Sequence, residues 1–219
     1  MVRDGYYYGL ASAAAAVLLG WLASPAWAVL PLLFGAFFLW FFRDPERAVP
    51  AIPGAIVAPA DGKVTDIVTV EWNGRPHTRL SIFLNVFDVH VNRSPAAGVI
   101  TAVEYRKGQF KNAMGAECSE CNEQNIVTLD AGGHTLVFKQ IAGLLARRIV
   151  FTKKVGDRME RGERIGMMKF GSRMDVIFDP DAALQVKVGQ RVVGGTSLLA
   201  ITPADRAYVP LGARAQVRA

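Results

Sequence analysis

From Met167 to Phe178 the chain reads Met-Met-Lys-Phe-Gly-Ser-Arg-Met-Asp-Val-Ile-Phe, with a hydroxyl nucleophile, Ser172, directly after a glycine in an otherwise strand-like run. Glycine has no Cβ, so Gly171 can adopt backbone angles closed to other residues and expose its carbonyl to the next side chain. Strain at such a position lowers the cost of Ser172 Oγ attacking that carbonyl, which exchanges the amide for an ester. Elimination from the ester leaves a ketone, a pyruvoyl group, on a new N-terminus at position 172. Taken alone, a Gly-Ser pair is equally an ordinary bulge in a strand.

Such chemistry needs a group that moves protons near neutral pH, and a histidine held by a carboxylate is the usual solution. The chain has three histidines, His77, His90 and His134. His77 follows Asn73-Gly74-Arg75-Pro76 and reads as a solvated turn residue; His134 follows Gly132-Gly133 and reads the same way. His90 alternates with Val89 and Val91, a pattern that turns it from the core towards a cleft. Cys118 and Cys121 form one Cys-x-x-Cys. A four-ligand zinc site needs a second pair, so they read as two reduced cysteines in a polar loop. The same shortage of histidines disfavours a zinc peptidase.

The elements around these residues are mainly strands. Asn73-Gly74 between two β-rich runs, 63–70 and 78–84, signals a hairpin. Further strands are expected at 98–105, 124–130, 135–141 and 148–152, and no segment beyond the N-terminus carries a long 3.6-residue apolar period. Lys154-Val155-Gly156-Asp157-Arg158 returns 33 residues later as Lys187-Val188-Gly189-Gln190-Arg191, each copy followed by a glycine and an apolar strand. This echo resembles the turns of lipoyl-type hybrid barrels and predicts a compact β-sandwich or barrel, with Gly171-Ser172 on one of its strands. The tail from Arg206 to Ala219 is expected to be loosely ordered.

Ahead of this body, Tyr6 to Phe42 contains no charged side chain. One bilayer crossing takes about 20 apolar residues, so two helices reversing at Ser24-Pro25, or a shallow re-entrant pair, fit the tract. Residues 1–43 then form a membrane-anchoring helical hairpin, with Arg3, Arg43 and Arg47 holding both ends on the cytoplasmic side. A secretory signal peptide is the rival; the second apolar run, Val29 to Phe42, argues against cleavage at Ala26-Trp27-Ala28. The 219 residues carry a formal net charge of +6. With the basic residues scattered and no binding motif beside them, an anionic membrane suits that charge better than nucleic acid.

The run at 167–178, together with Phe41-Phe42-Arg43-Asp44-Pro45-Glu46-Arg47, Ala58-Pro59-Ala60-Asp61-Gly62-Lys63-Val64, Asp88-Val89-His90-Val91-Asn92-Arg93-Ser94-Pro95 and residues 140–149, resembles the phosphatidylserine decarboxylases, particularly their short bacterial and archaeal form. The resemblance implies a proenzyme whose domain, 44–219, cuts itself into a β chain, 1–171, and an α chain, 172–219. Ser172 becomes the pyruvoyl cofactor, which forms a Schiff base with phosphatidylserine and releases CO2 and phosphatidylethanolamine, with neither metal nor pyridoxal phosphate. Gly171 supplies the cleaved carbonyl, His90 matches the acid–base histidine, and Asp61 matches the carboxylate of the processing relay. The second histidine of the motif corresponds here to Arg93, and an arginine is no base at neutral pH. Either His90 carries both duties, or another group removes the proton; Asp88 is a reserve carboxylate that also reads as a turn cap. Arg93, Arg147 and Arg148 are candidates for holding the anionic lipid. The implied partners are the lipid, the two chains of the cut protein and further copies in a homo-oligomer. Two other readings stay open: action on a related serine lipid such as archaetidylserine, and a non-enzymatic membrane adaptor built on the lipoyl-like barrel.

Overall fold

The computed structural model describes residues 2–115, 117–144, 148–169 and 171–203. The expectations for Arg147 and for the tail 206–219 fall outside them. Helix α1 (Arg3–Leu22) runs to a short 3-10 turn (Pro25–Ala28) and helix α2 (Val29–Phe41). The reversal at Ser24-Pro25 is the one expected, since Pro25 opens the turn and Ser24 is extended before it (ψ 161°). α1 is long and apolar enough to cross a membrane, whereas Pro25–Phe41 is apolar but shorter. Small residues bring the helices together. A Cβ on Gly9 would stand 2.9 Å from Leu39, and one on Gly35 3.2 Å from Ser12. Leu10, Val17, Trp21 and Leu33 face outward with more than half their surface exposed. The Val2 amide donates to the Phe42 carbonyl at 3.1 Å, so both ends of the hairpin meet at the body.

The body is mainly β, as expected. Its strands are β1 (Ala55–Val57), β2 (Gly62–Trp72), β3 (Arg75–Leu84), β4 (Val91–Arg93), β5 (Gly98–Arg106), β6 (Gln124–Asp130), β7 (Thr135–Ile141), β8 (Ile149–Phe151), β9 (Arg158–Met159), β10 (Arg164–Met168), β11 (Ser172–Phe178), β12 (Ala183–Leu184), β13 (Arg191–Val192) and β14 (Leu198–Ile201), with a one-turn helix, α3 (Cys118–Cys121), before β6. An antiparallel sheet of eight strands, ordered β13-β2-β3-β11-β7-β6-β5-β9, curls around the core. Two three-stranded sheets, β1-β14-β12 and β4-β10-β8, complete the wall. Leu80, Ile82, Leu84, Val127, Leu129, Phe138, Met174, Val176 and Phe178 fill the interior, alternating with residues on the outer face.

Two local signals hold in detail. Asn73 (φ 51°) and Gly74 (φ 73°) both have positive φ, as a tight β2–β3 hairpin turn requires. The 33-residue echo is one turn built twice. Gly156 and Gly189 have φ 91° and 90°, and Gly162 and Gly195 have φ 76° and 77°. The Lys154 amide donates to Asp157 Oδ2 at 3.0 Å, and the Lys187 amide donates to Gln190 Oε1 at 3.2 Å. Gly156 N–H then bonds Ile100 O, and Gly189 N–H bonds Val64 O. Each copy thereby stitches its following strand, β9 or β13, onto one edge of the large sheet.

Candidate active site

β11 occupies the middle of the large sheet, between β3 and β7, and begins with Ser172, whose backbone lies opposite Leu84. Strand alternation turns Ser172 to the core side with Met174 and Val176, and Arg173 and Asp175 to the other face. Ser172 is fully buried, and its Oγ has no hydrogen-bond partner among the described residues. A buried polar group left unpaired costs about 1–3 kcal/mol. Gly171 sits at φ +65°, with no atom within 4 Å of where a Cβ would stand. Glycine is needed there for its angle, not for room. Since glycine reaches that angle freely, this torsion does not hold the strain expected from the sequence. A cavity of about 230 Å3 reaches Gly171 and is lined by Phe83, Asn85, Val86, Asn112, Ala113 and Leu144. A larger cavity, lined in part by His134 and Arg161, sits by the β6–β7 turn at the other end of the sheet.

His90 lies just before β4 and is 1% exposed. The cleft-facing position expected from its alternation with valines is not found, because Val89, His90, Val91, Asn92 and Arg93 are all buried. β4 pairs with β10, and the helical hairpin covers its entry. The Phe41 ring lies 4.4 Å from the imidazole, tilted 33°. Nδ1 stands 2.8 Å from the Asp88 carbonyl oxygen. A carbonyl only accepts, so Nδ1 carries the proton and Nε2 the lone pair. Nε2 is itself buried without a partner among the described residues. Burial pushes the ring pKa down to about 4, and the Asp88 carbonyl and carboxylate counter only part of that. The imidazole is therefore neutral at pH 7, with an unspent acceptor. The Met168 amide donates to the His90 carbonyl at 3.3 Å, which sets His90 beside the strand leading to Gly171.

Asp61 precedes β2. Because Lys63 pairs with Phe83 and Phe83 with Arg173, Asp61 and Gly171 emerge at the same end of the sheet, two strand spacings or about 10 Å apart. Its carboxylate takes Arg47 at 2.8 and 3.1 Å and the Gly194 amide at 2.8 Å. No hydrogen bond joins it to His90 or Ser172 among the described residues. Arg93 is buried and directed to the linker, where it donates to Asp44 Oδ1 at 3.2 Å, Pro45 O at 2.9 Å and Gly162 O at 3.1 Å. Arg148 is exposed. Asp88 caps the turn from Asn85, accepting the Asn85 amide at 2.8 Å, and pairs with Arg191. It orients His90 through its backbone carbonyl.

His77 and His134 are buried rather than solvated. His77 lies in β3 between Arg75 O (3.1 Å) and Asp179 Oδ1 (3.6 Å), and His134 is buried in the β6–β7 turn. The cysteines are free and lie on α3, not in a polar loop. The Cys118 thiol is buried against Ala113 O (3.2 Å), and its burial raises its pKa.

Several contacts escaped the sequence reading. Lys169, two residues before Gly171, pairs with Asp4 of α1 at 3.0 Å and lies over the Tyr8 and Phe42 rings. Arg173 donates to Asp175 Oδ1 at 2.6 Å and to Ser81 Oγ at 2.5 Å, while Ser119 Oγ holds Asp175 Oδ2 at 2.9 Å. The residue after Ser172 is thus clamped by a fully buried ion pair. The motif at 41–47 was the available signal: Phe41 covers His90, Arg43 binds the Phe87 carbonyl, and Asp44 joins Arg93 to Arg164.

The family model described as phosphatidylserine decarboxylase matches residues 34–200. The chain is 58% identical, over 91% of its length and 96% of the relative's, to the phosphatidylserine decarboxylase proenzyme of Solibacter usitatus (strain Ellin6076). It is 43% identical to the protein of the same name from Symbiobacterium thermophilum, over 93% of this chain and 96% of that one. The chain belongs to the phosphatidylserine decarboxylase family.

Proposed function

We propose that this protein is a phosphatidylserine decarboxylase made as a proenzyme, which cuts itself between Gly171 and Ser172 and turns Ser172 into the pyruvoyl group of the mature enzyme. The observation that carries this reading is the pair of buried orphans, Ser172 Oγ and His90 Nε2. One is a donor and the other a lone pair, both out of water at the same end of the sheet. Ser172 Oγ gives its proton to His90 Nε2 and attacks the Gly171 carbonyl carbon. The Gly171–Ser172 C–N bond breaks, and the departing nitrogen takes the proton back from the imidazolium. The Gly171 ester now hangs on Ser172 Oγ. His90 Nε2, free again, takes the Ser172 Cα proton, which expels the ester as the Gly171 carboxylate and leaves a dehydroalanine at 172 whose hydrolysis releases ammonia.

His90 suits the transient base because burial keeps it neutral, so it holds a proton only while charge develops nearby. Arg93, in the place of the second motif histidine, is a strut between the linker and the Gly162 turn. Asp61 with Arg47 forms an ionic rim beside the site. The ketone at position 172 would supply the electron sink for loss of the headgroup carboxylate. The cavity beside Gly171 receives that headgroup, with Asn85 and Asn112 as its polar walls. His90 Nε2 would take the proton that the headgroup ammonium must lose and return it to the carbon that loses the carboxylate. The helical hairpin holds this end of the body at the cytoplasmic face of the membrane, where the lipid lies.

Intact mass measurement of the purified protein tests the reading. Two chains, 1–171 and a pyruvoyl-blocked 172–219, are expected from the wild type, with conversion of phosphatidylserine to phosphatidylethanolamine. Ser172→Ala is expected to stay whole and inactive. A wild-type protein that decarboxylates the lipid as one uncut chain overturns the proposal.

A further inference from the structure

The turn from Asn85 to Asp88 separates β3 from His90, and two of its residues, Asn85 and Val86, line the cavity at Gly171. Its tip is Phe87, 68% exposed. A bare aromatic next to a cavity-lining residue calls for a partner. The Phe87 ring lies 6.1 Å from Trp40 near the end of α2, so the turn continues the apolar surface of the hairpin. The tip also wears a cationic collar. Arg43 stacks over Trp40 at 4.2 Å and donates to the Phe87 carbonyl at 2.8 Å, and Arg191 grips Asp88. Across the cavity, Met114 is 60% exposed beside the lining residue Ala113. An apolar tip ringed by guanidinium groups and flanked by a tryptophan is what an anionic bilayer interface favours: the ring enters the acyl boundary while the charges stay with the phosphates.

We propose that the Asn85–Asp88 turn is a second membrane contact, inserting Phe87 into the surface of an anionic bilayer so that the mouth of the Gly171 cavity opens at headgroup depth. This rests on the decarboxylase reading above. It gives the hairpin a companion: α1 and α2 hold the protein at the membrane, and the turn sets the height and tilt of the site. A headgroup then reaches Gly171 without its lipid leaving the bilayer.

The test compares one lipid chemistry in two physical forms. Full-length wild type, Phe87→Ser and Phe87→Leu are assayed on phosphatidylserine in phosphatidylcholine vesicles and on short-chain phosphatidylserine dispersed as monomers. Expected is complete self-cleavage in all three proteins and equal turnover of the monomeric lipid. On vesicles Phe87→Ser should fall about tenfold, the cost of one lost apolar anchor, and Phe87→Leu should stay near wild type. Equal vesicle activity in Phe87→Ser and wild type overturns the proposal. An equal loss on monomers and vesicles overturns it too, since the turn would then only shape the cavity. A wild type inactive on both forms fails the decarboxylase reading instead.

Discussion

Gly143 packs its Cα against the carbonyl of Gly171. A Cβ built on Gly143 would stand 2.2 Å from that oxygen and 3.2 Å from its carbon. The hydrogen in the Cβ position therefore points at the atom that would become an oxyanion in the proposed attack by Ser172. A Cα–H is a weak donor, but the contact fixes which way the carbonyl faces.

Gly143→Ala is expected to rotate or displace the Gly171 carbonyl. Overpacking of this kind costs about 1–3 kcal/mol of stability, which leaves the protein folded. Self-cleavage, followed on a denaturing gel after cell-free synthesis, should slow about 100-fold, because misplacing a reacting atom by about an ångström costs that much. Cleavage at the wild-type rate in a folded Gly143→Ala protein removes the contact from the mechanism.

On the proposed mechanism the pH dependence of processing follows from His90. Its folded pKa, about 4, lies below the 6.5 of an exposed imidazole, so between those values the unfolded chain binds the proton and the folded one does not. Stability from this group is complete above pH 6.5 and is lost as pH falls towards 4, by about 3 kcal/mol in all. The base stays free throughout that window. Self-cleavage should hold its rate from pH 8 down to about 5 and halve near pH 4, with tryptophan fluorescence recording whether the fold survives. A midpoint at 6.5 shows that the working base is an exposed group.

The buried pair Arg173–Asp175 makes a stability prediction. Asp175→Asn leaves a guanidinium in the interior with no counter-charge, a loss of about 3–5 kcal/mol. In a protein this size that lowers Tm by about 10 °C. The double variant Arg173→Met with Asp175→Leu should recover part of it, because the Arg173 guanidinium is then gone while Arg79, 4.0 Å from Asp175, keeps Asp66 at 3.2 Å. Calorimetry of the three proteins, each carrying Ser172→Ala to keep one covalent state, decides. Equal losses for single and double variants show that packing, not charge, holds this end of β11.

Local rules and tertiary burial explain what the sequence did and did not disclose. Asn73-Gly74 and the paired Lys-Val-Gly turns were legible because positive φ at a glycine is decided within four residues. The hairpin was legible because no charge interrupts Tyr6 to Phe42. His90 was placed wrongly because in–out alternation assumes a strand with one wet face, and a helix outside the sheet dries both faces of this segment. The same covering by distant elements hid His77 and His134. Arg173–Asp175 lay in plain view as i and i+2 on one strand face. Only the loop carrying α3, some 55 residues earlier, buries the pair. Asp44 was legible only as a member of the 41–47 motif, and its tie from the linker to Arg93 and Arg164 depends on tertiary packing.

On the proposed mechanism, the contact of Phe41 with His90 brings the hairpin into the site, and it separates an electrostatic role from a structural one. Phe41 is fully buried, so Phe41→Ala should cost about 3–5 kcal/mol. Its chemical effect has a different signature. Burial is the largest cause of the lowered His90 pKa, and Asp88 and Arg43 are the charged groups that act on the ring. Removing the aromatic cover admits water and lets the imidazole climb from about 4 towards 6.5. The midpoint of self-cleavage should then move to higher pH, leaving Phe41→Ala competent at pH 8 but slow at pH 5, where wild type is not. Phe41→Leu, which keeps most of the apolar cover, should lie nearer wild type. A profile that drops by one factor at every pH, with its midpoint fixed, would mean that Phe41 only holds the hairpin to the body.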